Sequence, residues 1–278
     1  MNPFVVTLYN SIPASLKKRL GQSARLKWLR TLLLQSNKTY KTSTVQVSRL
    51  YGAQQVVFKF TAPVKVAARA LQRGIENTLL NNSISLFKQQ HWPDNAVIFD
   101  VGANFGYLSL VWSQTLAKNG QVHAFEANTW VSDCLVKSVA ENDLQQSITL
   151  VNNAVGDVCQ PVQLFLNHSS SNVLDLRHNE NSVTIDMITI DSYVKQQNIT
   201  RCDLIKIDVD GIEPAILKGA KETILKFQPM VIVETNNNID MITWFENIDY
   251  QILTMKLKPY IKGDVLPPNI FCLPKATL

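Results

Sequence analysis

Cysteine is sparse in this chain and forms no pattern. Cys134, Cys159, Cys202 and Cys272 are scattered without C-x-x-C spacing, so neither a zinc site nor a disulfide framework is implied. Reduced thiols in a cytosol are the expectation. A long apolar run is missing as well, and no window could span a bilayer. The first residues carry no signal-peptide pattern, because Lys17, Lys18 and Arg19 follow the early apolar residues and precede no long apolar core. Charge of one sign is only weakly in excess, at +5 with a pI near 8.9. That can help hold an anionic substrate or surface, yet it falls short of the dense basic patch of a nucleic-acid binder, so no nucleic-acid partner is expected. What is present is apolar: 46% of 278 residues, long enough for one large α/β domain.

The first 60 residues are the least legible. Ser15 to Leu34 alternates basic with apolar residues, the pattern of an amphipathic helix with a cationic face. Such a helix packs on a main domain with its lysines in water, or it makes peripheral contact with an anionic membrane through residues 15–34. The first use is the commoner. Thr44 to Leu50 and Gln54 to Phe60 read as a hairpin around Tyr51-Gly52-Ala53. Val64 to Gln90 reads as one helical region, ending in the turn signal Trp92-Pro93-Asp94-Asn95.

Strand and helix then alternate. Strands are expected at Val97–Val101, Gln121–Phe125, Ile148–Asn152, Leu204–Val209, Met230–Glu234, Tyr250–Met255 and Ile270–Leu273. Helices are expected at Tyr107–Leu116, Trp130–Asn142, Glu213–Phe227 and Met241–Asn247. This is the rhythm of a doubly wound, mostly parallel seven-stranded α/β sheet with helices on both faces. The lack of a helix before the last strand argues that this strand is antiparallel. Val162–Leu166 and Val183–Ile190 interrupt the rhythm as a β-hairpin insertion with a long polar loop, the kind that often covers an active site. No repeat is visible. The expected division is an N-terminal extension over residues 1–90 and a catalytic domain over residues 91–278.

Another absence narrows the chemistry. The dinucleotide fingerprint G-x-G-x-x-G does not occur; in its place stands Asp100-Val101-Gly102-Ala103-Asn104-Phe105-Gly106. A strand that ends in an Asp and opens through a glycine turn into a helix should present backbone N–H groups to a nucleotide-like ligand. Glu126 ends the next strand at the distance of a ribose-binding acid. The missing glycine lets a backbone approach a pyrophosphate, and a cofactor without phosphates does not need it. S-adenosylmethionine is such a cofactor. Asp100 would then sit near the ammonium of its tail, Gly102 and Gly106 would give close approach, and Glu126 would accept both ribose hydroxyls. Taken singly, these residues have plain structural uses as a packing turn and a solvated strand-end acid.

A second cluster, Lys206-Ile207-Asp208-Val209-Asp210-Gly211-Ile212-Glu213, ends another strand at the same sheet edge. Charges closing an apolar run need partners or a task. Glu213 also has a capping explanation at a helix start. His123 reads as a packed core or rim residue, while His91, His168 and His178 fall in loops.

Together, residues 100–106, His123-Ala124-Phe125-Glu126, residues 206–213 and Leu217-Lys218-Gly219-Ala220 resemble the FkbM family of S-adenosylmethionine-dependent methyltransferases, over about residues 95–235. The resemblance implies a class I methyltransferase (Rossmann-like) fold. It also implies methyl transfer to a hydroxyl of a sugar, glycolipid or natural product, the acceptor being a small molecule or glycan. Asp100, Gly102, Ala103, Asn104, Gly106 and Glu126 are the implied cofactor contacts, with Asn153 and Ala154 near the adenine. Two departures stand out. Asp210 replaces the Glu usual in the family, and Thr235-Asn236 follows Glu234 where a His is frequent.

In-line transfer of a methyl group needs alignment, exclusion of water and a base for the acceptor proton. Asp208 is the first candidate base, with Asp210 and Glu213 as orienting or alternative acids. A divalent metal such as Mg²⁺ on Asp208, Glu234 and Asn236 is a less favoured route to the same end. Two other functions stay open: a catalytically inactive binding or scaffold module, and an NAD-type oxidoreductase.

Overall fold

A computed structural model of the protein describes residues 4–13, 15–17, 31, 34–36, 39–167, 170–172, 182–209 and 211–275. Most of the basic stretch at 15–34 lies outside the described residues, as do His168, His178 and Asp210.

Seven strands form the central sheet: β3 (Val97–Val101), β4 (Gln121–Phe125), β5 (Ile148–Val151), β10 (Leu204–Ile207), β11 (Met230–Glu234), β12 (Tyr250–Thr254) and β13 (Asn269–Pro274). Their order is β12-β13-β11-β10-β3-β4-β5. All neighbours are parallel except β13, which runs antiparallel to both β11 and β12. The expected sheet and its reversed last strand are therefore present. Successive side chains of a strand point to opposite faces. Ile98, Val122 and Ile232 enter the core on one face, and Phe99, Phe125 and Val231 enter the core on the other. Burial on both faces is why these strands are nearly continuous apolar runs.

The first face is covered by α4 (Tyr107–Ser113), by α5 (Thr129–Glu141) and by the residues before the sheet. The latter comprise α1 (Phe4–Ser11), the hairpin β1 (Thr42–Tyr51) and β2 (Gln54–Pro63), and the helices α2 (Val64–Arg73) and α3 (Asn77–Gln89). The hairpin is in full register from Thr42↔Pro63 to Tyr51↔Gln54. Its free edge is closed by side chains. Thr61 N–H donates to Ser138 Oγ at 2.9 Å, while the side-chain amides of Gln114 and Asn142 pair with the backbone of Val57 and Lys59. Satisfying an edge this way removes a template for aggregation.

The single helix expected at Val64–Gln90 is two helices. Gly74 and Glu76 both hold positive φ, 76° and 48°, and break it. The opposite face carries α6 (Ile190–Gln196), α7 (Glu213–Gly219), α8 (Lys221–Phe227) and α9 (Asp240–Glu246). The expected helix at 213–227 is thus also split, at Ala220, where Gly219 approaches the Gly156 carbonyl too closely for any Cβ. Helix α6 was not expected, and the strand before it stops at Ile188. A reciprocal cap between Thr189 and Ser192 starts that helix, with Ser where Glu or Gln would be the usual sign. The insertion is a small sheet of β6 (Ala154–Val155), β7 (Gln160–Asn167), β8 (Ser170–Asn172) and β9 (Ser182–Ile188). Its main pair, β7 and β9, is antiparallel as expected.

Candidate functional site

The chain order of the strands reverses between β3 and β10. Ligands of open α/β sheets bind beyond the carboxyl ends of the strands at such a point. A cavity of about 360 Å³ opens there. Asp100, Gly102, Ala103, Asn104, Glu126, Asn153, Ala154 and Asp208 all line it. Gly106 and Glu213 are not among its lining residues.

The glycine turn is shaped by backbone, with Gly102, Asn104 and Gly106 at φ of 76°, 54° and 78°. Asn tolerates that region better than most residues. A Cβ on Gly102 would lie 2.1 Å from the Asp208 carbonyl oxygen, so glycine is what lets the ends of β3 and β10 meet. Gly106 packs against Leu135 in the same way. One expectation is corrected here: the turn does not present a row of free N–H groups. Gly102 and Ala103 donate to the Phe125 carbonyl at 3.0 and 2.9 Å, and Asn104 donates to Glu126 Oε2 at 2.9 Å. The turn is thereby tied to β4, and carboxylates are left to face the cavity.

Glu126 is placed beside the glycine turn. Its other oxygen accepts from Asn128 N–H at 2.8 Å. Burial raises its pKa, and the bonds from Asn128 and Asn104 and the charge of Lys206 oppose the rise. Each carboxylate oxygen has a second acceptor position. Asp100 is fully buried, and its Oδ2 accepts from Ser109 Oγ. Its Oδ1 has no hydrogen-bond partner and lies 3.6 Å from Lys206 Nζ.

Lys206 is the residue whose task was not foreseen. It is buried and lies within hydrogen-bond or ion-pair reach of the Gly102 carbonyl (2.9 Å), Asp208 (3.5 Å) and Asp100 (3.6 Å). Burial alone would lower its pKa, but Asp208, Asp100 and Glu76 together hold it above the ordinary value. A lysine inside an apolar strand was the available signal. Glu234 ends the neighbouring strand beside Asp208. Burial, then the charge and hydrogen bonding of Asp208, push Glu234 up to about 7.

Glu213 is fully buried and latches the loop: its Oε1 accepts from the N–H groups of Val209 and Gly211, each at 3.1 Å. Asn153 donates to the Asp186 carbonyl at 3.1 Å, joining the cavity wall to the insertion. His123 is buried away from this chemistry, bonded to Tyr193 Oη at 2.9 Å and edge-on to Phe99. Burial depresses its pKa to about 4.

The extension supplies the remaining wall through Phe60, Val66, Arg69, Ile75 and Glu76. None was picked out in the sequence as a site residue. Glu76 sits at the break between α2 and α3, a place set by packing and carrying no local signature. Among the described residues no group of three or more His, Cys, Asp or Glu is arranged to hold a metal ion. Likewise, no helix among them is long and apolar enough to cross a membrane.

Several solved structures are similar. They include a methyltransferase FkbM from Methylobacillus flagellatus KT (17% identity, 75% of this chain and 54% of that one, TM-score 0.47). An O-methyltransferase from Bacillus cereus in complex with SAH is another (16% identity, 76% and 87%, TM-score 0.44). A SAM-dependent O-methyltransferase from Thermotoga maritima is a third (10% identity, 80% and 75%, TM-score 0.41). The match spans about half the length of the Methylobacillus protein. No curated protein matches significantly in sequence. The methyltransferase FkbM domain matches residues 100–252, more than half of the chain and the segment that holds both motif clusters. With its class I methyltransferase sheet, the chain belongs to the FkbM family of methyltransferases.

Proposed function

We propose that this chain is an S-adenosylmethionine-dependent O-methyltransferase whose acceptor is a hydroxyl of a sugar, glycolipid or natural product. The observation that carries the reading is the cavity that Asp100 and Glu126 line together beside the glycine turn. Asp100 Oδ1 is ion-paired with Lys206 but accepts no hydrogen bond; a buried acceptor takes a donor where one is offered, and the cofactor's ammonium would be one. Glu126 would take the ribose hydroxyls, and Asn153 and Ala154 would flank the base. The volume suits a small-ligand pocket, of order 300–1,000 Å³. When bound, S-adenosylmethionine supplies an electrophilic methyl group on a sulfonium.

The chain's own residues do the rest. Asp208, at the mouth of β10, accepts the acceptor's hydroxyl proton. Glu234 shares a hydrogen bond with it and provides a place for that proton. Lys206 keeps Asp100 and Asp208 oriented and offsets their charge. Glu213 holds the Val209–Gly211 loop in place. Asp210, placed by the sequence among the acids, lies outside the described residues. A Mg²⁺-assisted route through Asp208, Glu234 and Asn236 is the less favoured alternative; Asn236 donates to Glu234 at 3.2 Å.

Calorimetry with S-adenosylmethionine, S-adenosylhomocysteine and NAD is the test. The first two should bind and NAD should not. Failure of the first two overturns the reading, and binding without turnover over a broad panel of hydroxylated acceptors points to a binding module. Asp208→Asn should retain cofactor affinity and lose about 100-fold or more in turnover, the usual worth of a general base. Because Glu234 can take the proton onward only when it is itself deprotonated, turnover should rise with pH through about 7 and level off above it. Glu234→Gln should abolish that step.

A further inference from the structure

We infer that a second cavity, beside the cofactor crevice, holds an anionic group, a carboxylate or phosphate, carried by the methyl acceptor; this rests on the methyltransferase reading above. The cavity is an open hollow of about 380 Å³ at the surface, walled by Arg69, Arg73, Asn77, Met255 and Asn269, with both arginines exposed to solvent. Arg69 and Glu76 line both hollows, so the two are adjacent. Asn269 pairs with Glu234 across the sheet, which puts this space next to the proton-accepting acids.

Arg69 and Arg73 are four residues apart on α2 and so project from one face of that helix. Another face is spent on the core through Val64, Ala67 and Ala68. Among the described residues neither guanidinium has a hydrogen-bond or ion-pair partner; Arg69 acts on Glu76 through space. Arg49 provides the contrast. It donates to the carbonyls of Ala70 and Leu71, at 3.3 and 2.9 Å, and is consumed in holding the end of α2. A guanidinium presents a planar fork that matches a carboxylate or a phosphate.

The charge arrangement favours such an acceptor. Asp208, Glu234 and Glu76 by themselves would repel an anion approaching the reaction site. Arg73, which lines only the outer cavity, can hold the anion while the hydroxyl reaches Asp208. The acceptor class is therefore a hydroxylated acid or a phosphorylated alcohol, such as a uronic acid or a sugar phosphate.

The test loads the full chain with S-adenosylhomocysteine and titrates it with inorganic phosphate and with glucuronate. At least one should bind in the millimolar range. Arg73→Gln should weaken that binding about ten-fold, the loss of a charge-assisted pair, while S-adenosylhomocysteine affinity stays the same. Arg69→Gln should give the same anion loss and serves if the first variant is unstable. The subsite is overturned if neither anion binds the loaded protein, or if the affinities match between wild type and variants. Failure of the wild type to bind S-adenosylhomocysteine removes the methyltransferase reading instead, and the acceptor role of this cavity with it.

Discussion

At the scale of the residue, the site is built from acids whose partners differ. Asp100 and Asp208 share Lys206, Glu126 takes two backbone N–H groups, and Glu213 takes two more. These acids were legible because each interrupts or closes an apolar run, where a charge is expensive without a partner. Lys206 was visible as a residue, but two of its three contacts, Asp100 and the Gly102 carbonyl, come from another part of the chain. Removing one partner from a buried pair costs about 3–5 kcal/mol, because it leaves the other charge buried and uncompensated. Glu126→Ala makes the clearest single-residue test. It removes the ribose acceptor and releases the N–H groups of Asn104 and Asn128. A hydrogen bond to a charged group is worth about 1.5–3 kcal/mol. The dissociation constant for S-adenosylhomocysteine should therefore rise by about ten- to a hundred-fold. Unchanged affinity in calorimetry would withdraw the ribose role.

Elements set where those residues meet. The boundaries of β4 and β11 match the sequence reading residue for residue, because their apolar runs are short and bounded by polar residues. Helix boundaries were less legible where tertiary contacts cut in, at Gly74–Glu76 and at Ala220. The hairpin is bound to the first site helix through a polar contact inside an aromatic cluster. Tyr51 and Tyr107 share a hydroxyl–hydroxyl bond of 2.9 Å, with Phe58 and Phe60 edge-on to Tyr107. Tyr107→Phe keeps the ring packing and deletes that link. It should cost about 1 kcal/mol, the net value of one hydrogen bond. The readout is a lower urea midpoint at unchanged slope; an unchanged midpoint would show that the aromatic packing alone joins the two elements.

For the whole molecule, the sheet separates two cores, and one of them contains the extension. Val45, Val47, Phe58 and Phe60 belong to the same buried cluster as Ile98, Leu110, Trp112 and Val122. The other cluster holds His123's aromatic neighbours Phe99 and Tyr193, with Phe125 packed against both. His123 makes global stability depend on pH. Its ring stays neutral in the fold down to about 4, whereas in the unfolded chain it takes up a proton near 6.5. Stability should thus fall as pH drops from about 6.5 toward 4, by up to about 3 kcal/mol. Glu234, raised in the fold, works in the opposite sense between about 4.5 and 7. The His123 contribution is therefore the difference between wild type and His123→Phe in urea unfolding at a series of pH values. Parallel curves for the two proteins would show that the ring is charged in the fold.

The amino-acid sequence alone determined the alternation of strands and helices, the antiparallel last strand and the two acidic clusters at strand ends. Those features are written in local periodicity and in charges that end apolar runs, which need no distant partner to be read. Only the tertiary structure decided that Lys206 joins both clusters, that the turn's N–H groups go to β4, and that Arg69 and Glu76 come from the extension to wall the cavity. Each of these depends on segments tens of residues apart meeting in space, and such meetings are set by packing of the folded chain, with no local pattern to announce them.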